Sequence, residues 1–143
     1  LMNTYKVLAG VLLAAGLASC GSDAEWHRPY DSAVCEELSV KIDGRDSLTQ
    51  ADYTAMIAQS EGILKYLIEK SEDIGSLPDS SRTCAWRELL ADDEYLERFS
   101  YMFTLGSALY QADAEGRLDR DNKRHYADLD RYNERLAAIS DRN

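Results

Sequence analysis

The sequence predicts an all-α protein, a small helical bundle of four to five helices that follows a cleaved signal peptide and a short tether. From residue 32 onward apolar residues recur at three- and four-residue spacings, the period of a helix face rather than of a strand. No stretch sustains the apolar and polar alternation of a half-buried strand. The two prolines, Pro29 and Pro78, fall between the periodic segments, where they can end helices without breaking one.

The first element is a leader at residues 1–19. Lys6 supplies a short basic region, the eleven residues Val7 to Leu17 form an apolar run, and the small residues Ala18 and Ser19 stand ahead of Cys20. That order is the pattern of a secretory signal peptide, and the run is too short for a membrane-spanning helix, which needs about 20 residues. Leu17-Ala18-Ser19-Cys20 resembles the bacterial lipobox. The resemblance implies cleavage before Cys20, diacylglycerol on its thiol and acylation of the new amino group. Two or more acyl chains anchor a protein stably where one does so only marginally. The implied location is the bacterial cell envelope, with the outer membrane favoured and the leaflet open.

Residues 20–31 read as a lipid-anchored tether, because the segment Gly21 to Asp31 has no helical or strand period and contains Pro29. Asp23 and Glu25 behind the lipid cysteine loosely resemble the surface-export signals of Bacteroidota lipoproteins.

A single helical domain is expected over residues 32–143. Its first helix spans about Ser32 to Ile42, with Val34, Cys35, Leu38 and Ile42 inward and Asp43-Gly44 at its end. Thr49 with Asp52, or Ser47 with Gln50, has the spacing of a capping box and opens a long second helix. Its stripe runs from Tyr53 and Met56 through Leu67 and Ile68 to Ile74. Ser80 or Ser81 is expected to cap a short third helix carrying Cys84, Trp86, Leu89 and Leu90. Asp92-Asp93-Glu94 starts a fourth, and acidic residues there suit the positive end of a helix dipole. The fourth helix has the richest apolar stripe, with Tyr95, Leu96, Phe99, Met102, Phe103, Leu105, Leu109 and Tyr110, and is expected at the centre of the core. A fifth spans about Leu118 to Ser140. No repeat of solenoid length is present, against a tetratricopeptide-type array.

Composition restricts the partners. The net charge is -10, and the chain has no Lys/Arg cluster of the kind that binds a phosphate backbone, so nucleic acid is disfavoured. The same charge opposes adsorption to an anionic bilayer, leaving membrane contact to lipid on Cys20. Once Cys20 is committed to lipid, Cys35 and Cys84 remain, and an exported chain with two cysteines reads as holding one disulfide between them. Two unpaired thiols are the alternative.

Candidate chemistry is sparse. Gln111 to Asn122 resembles a calcium loop, with Asp113, Glu115 and Asp119 as ligand candidates and Gly116 at the sixth position. Its first and twelfth positions, Gln111 and Asn122, lack the required carboxylates, and Gly116 is equally explained as a left-handed residue ending a helix with Leu118 packing back. His27 falls in the tether and His125 on a charged helix face between Asp121 and Asp128, where a solvated residue is expected. A hydrolase built on His125 would need a serine from elsewhere in the fold. Nine tyrosines against two phenylalanines raise the prospect of a tyrosine-lined groove from Tyr95, Tyr101, Tyr110, Tyr126 and Tyr132. No cofactor is implied. The sequence therefore points to a lipid-anchored interaction or adaptor module without enzyme activity, contacting an envelope protein. A calcium- or small-ligand-binding domain is the alternative, and an envelope hydrolase is a weaker one.

Overall fold

A computed structural model describes residues 23–142. The leader and Cys20 lie outside the described residues. Among the described residues there are no strands; the chain forms a 3-10 turn at Asp23–Trp26 and six α-helices. These are α1 (Ser32–Asp43), α2 (Gln50–Gly75), α3 (Asp79–Leu89), α4 (Asp93–Ala114), α5 (Arg120–Asp128) and α6 (Asp130–Arg142).

The long helix α2 is the axle of the bundle. It starts at the expected capping box: Thr49 Oγ1 accepts from the Asp52 amide at 3.1 Å, and Asp52 Oδ2 accepts from the Thr49 amide at 2.9 Å. Lys41 of α1 donates to Asp52 Oδ1 at 2.9 Å. Burial opposes ionisation of Asp52, but the bonds from Thr49 and Lys41 outweigh it and hold its carboxyl below the usual range. Met56, Ile57, Ile63, Leu64 and Leu67 are buried along α2, and α2 packs against every other element. Gln59 and Ser60 are buried too, because neighbours surround the helix on nearly all sides.

This corrects the expectation that the fourth helix is central. α4 packs on α1 and α2 and buries Tyr95, Leu105, Leu109 and Ala112. Leu96, Phe99, Phe103 and Tyr110 face outward, because two neighbours cover only part of an apolar surface that runs well round the helix. Inside that shell, the Arg98 guanidinium lies between the rings of Tyr30 and Tyr66, at 4.2 and 4.3 Å from their centroids.

Two further boundaries differ from expectation. Ser80 and Ser81 lie inside α3, whose first turn follows Pro78 with no side-chain cap. The expected fifth helix is two helices, divided at Leu129, where the Leu129 amide bonds the Tyr126 carbonyl at 3.0 Å. Leu129 and Ile139 are both buried, so the break preserves the apolar face while redirecting the chain. Neither proline nor glycine marks it.

Candidate functional site

Two places concentrate side chains beyond what the core needs: the docked segment that precedes α1, and the outer face of α4.

The segment expected to be a free tether is folded onto the bundle from Asp23 onward. Trp26 stacks on His125 of α5, with ring centroids 4.1 Å apart and planes 11° apart, and Trp26 Nε1 donates to Asn122 Oδ1 at 2.8 Å. Asn122 is buried and in turn donates to the carbonyl and side-chain oxygens of Gln50 at 3.1 and 2.9 Å. Gln59 accepts from the Asp31 amide at 2.8 Å and donates to the Pro29 carbonyl at 3.1 Å. Each buried amide thus satisfies backbone or indole groups that docking removes from water.

His125 is consequently buried, with 4 % exposure, and not the solvated residue its charged neighbours suggest. Its Nε2 lies 3.5 Å from Asp23 Oδ1, and His27 meets its ring edge-on at 5.9 Å. His27 Nδ1 is 2.8 Å from Glu61 Oε1, while Tyr132 donates to Glu61 Oε2 at 3.4 Å. This pairing of His27 with the buried Glu61 has no signal in the sequence, since the two come from separate elements. The stacking cover on His125 closes its ring face to a substrate, so the cluster reads as the seat of the docked segment.

The remaining sequence candidates are dispersed. Cys35 is buried and free, and Cys84 is exposed and free, which corrects the expected disulfide. Cys35 Sγ is 3.4 Å from Gln59 Oε1 inside the core, whereas Cys84 sits on the solvent side of α3, 3.9 Å from Glu88. Burial, with Glu97 and Asp31 adding, pushes the Cys35 thiol up to about 12.

The calcium-loop residues each take a different partner: Asp113 pairs with Lys123 at 2.9 Å, Glu115 with Arg117 at 2.8 Å, and Asp119 caps α5 at the Asn122 amide at 2.9 Å. No group of three or more His, Cys, Asp or Glu side chains among the described residues converges on a metal position. Gly116 has φ +70°. The Arg117 amide bonds the Ala112 carbonyl at 2.8 Å and the Gly116 amide bonds Asp113 at 3.1 Å, the pattern of a helix closed by a left-handed residue. Leu118 packs back into the core, as the helix-ending alternative required.

Nor do the five tyrosines line one groove. Tyr95 is buried, Tyr101 donates to Glu36 at 2.9 Å, Tyr132 reaches Glu61, and Tyr126 packs against the core. Tyr110 alone of the five stands at the groove between α4 and α6. That groove has a volume of about 560 Å³ and is lined by Met102, Phe103, Gly106, Ser107, Tyr110 and Asn133.

The outer face of α4 is ordered from beneath. Tyr95 stacks against Phe99 at 5.9 Å and 17°, and Phe99 meets Phe103 edge-on at 5.1 Å and 81°. The aromatic row runs from the core to the surface, where Phe103 is 59 % and Tyr110 71 % exposed. Side chains held by such stacking lose little freedom when something lands on them. Leu96 is exposed on the same face, N-terminal to this row. Comparison with family models, with curated proteins and with solved structures returns no match for this chain.

Proposed function

We propose that this protein is a lipid-anchored component of the bacterial cell envelope that acts by contact with protein, without catalysing a reaction, and that the outer face of α4 is the contact surface. The exposed row Leu96, Phe99, Phe103 and Tyr110 carries this reading, because leaving four large aromatic or aliphatic side chains together in water is costly unless something covers them. Lipid on Cys20 supplies the anchor. Only Gly21 and Ser22 separate Cys20 from the docked turn at Asp23. Three residue steps reach about 10 Å at most, so the anchored bundle is held against the bilayer rather than on a long stalk.

The test uses the full chain in bacterial membranes with a photoreactive side chain at Phe103, and at the exposed Glu69 of α2 as control. Protein adducts from position 103 and none from position 69, with a cleaved and acylated mass that Cys20→Ala abolishes, are the expected results. Equal labelling at the two positions, no adduct at 103, or a parent chain that is unprocessed and unacylated would overturn the reading.

A further inference from the structure

We propose that the outer face of α4 pairs with the same face of a second copy of this chain, the two helices antiparallel about a two-fold axis between Thr104 and Leu105. This rests on the reading of that face as a contact surface and names its occupant.

The spacing along the face is that of a helix pair. Leu96, Phe99, Phe103, Gly106 and Tyr110 follow one another at intervals of three, four, three and four, the seam of knobs-into-holes packing. In an antiparallel pair with its axis at that place, Phe103 faces Gly106 of the second copy, and Phe99 faces its Tyr110. A two-fold interface must be complementary to itself in this way, each residue meeting the partner's counterpart reciprocally. Phe103 is the protruding ring, and Gly106 is the matching hole: a Cβ placed on Gly106 would meet nothing within 4 Å. The groove beside Gly106, bounded by Met102, Ser107 and Tyr110, is the space the opposing Phe103 enters.

Charge favours the same occupant. In a chain of net charge -10, residues 99–112 contain no Asp, Glu, Lys or Arg. Two copies of an acidic protein repel except where such a stretch lets them approach. A basic partner would instead find no carboxylate between Phe99 and Ala112. Antiparallel alignment sets each helix's N-terminal end beside the other's C-terminal end, which its dipole favours. Three aromatics about half exposed, Leu96 and the small flanks bring about 600 Å² per copy, or about 1,200 Å² in all, the lower end of specific interfaces.

The experiment places Ser100→Cys on one tagged full-length copy and Ser107→Cys on another, both with Cys84→Ser, and oxidises them together in membranes. Positions 100 and 107 lie across the antiparallel seam from each other. A disulfide between them several-fold above either like-with-like pair, and its loss with Gly106→Leu at a melting temperature no lower than the parent's, is the expected result. Absence of bonding in all combinations, a like-with-like preference, or indifference to Gly106→Leu would overturn the pairing. If these cysteines stay silent while position 103 labels a different protein, the self-pairing falls and the contact-surface reading stands. Silence in both experiments would remove both.

Discussion

The indole of Trp26 lies flat on the imidazole of His125, 4.1 Å between centroids, and its Nε1 donates to the buried Asn122. That contact joins the start of the described chain to its penultimate helix, so truncating Trp26 acts at a distance. Trp26→Ala is expected to cost about 2 kcal/mol, below the range for a fully enclosed tryptophan because Trp26 is half-buried. Urea unfolding measures the loss. Limited chymotrypsin digestion should cut after Tyr30 in the variant while the parent stays protected, and equal cutting in both would show that the segment is not held.

The Thr49 and Asp52 capping box sets up the longest helix and is pinned from outside by Lys41. Asp52→Asn should cost about 1 kcal/mol, the usual value of such a cap, and lower the melting temperature by about 4 °C. The pH dependence has a definite sign. Because the folded carboxyl lies below its ordinary value of 3.8, its stabilisation is complete above that value and disappears as the pH falls through the lower folded one. The parent and Asp52→Asn melting curves should therefore converge under acid and stay apart near neutrality.

Thiol chemistry separates the two described cysteines. Cys84 is exposed and Cys35 is buried with its thiol pushed up to about 12, so the thiolate that reacts is scarce at Cys35. A thiol reagent at neutral pH should modify Cys84 in the native protein and reach Cys35 only on unfolding. A mass that rises by two hydrogens on reduction would instead show the disulfide.

Two side chains within one turn of α4 should respond to substitution very differently. Leu105 is fully enclosed, and Leu105→Ala is expected to cost about 2–5 kcal/mol. Phe103→Ser, on the open face, should change the stability of a single copy by no more than about 0.5 kcal/mol. Urea titrations in dilute solution compare them; a large loss for Phe103→Ser would mean the ring belongs to the core rather than to a contact surface.

Local chemistry carried much of the fold in the linear sequence. The Thr49-to-Asp52 spacing, Asp92 ahead of α4 and Gly116 behind it act within a turn or two of backbone, so each helix end they define is readable without knowing the neighbours. The three- and four-residue apolar period likewise specified an all-helical chain. What tertiary structure alone decided is which apolar stripe is covered and which is left open. α2 became the axle and α4 an outer helix because covering a face depends on how many helices surround it, a property of arrangement that hydrophobicity along one helix does not contain. The same holds for His125 and the two free cysteines: the residues that bury, stack on or fail to meet them come from distant elements, and only the folded chain brings them into contact or keeps them apart.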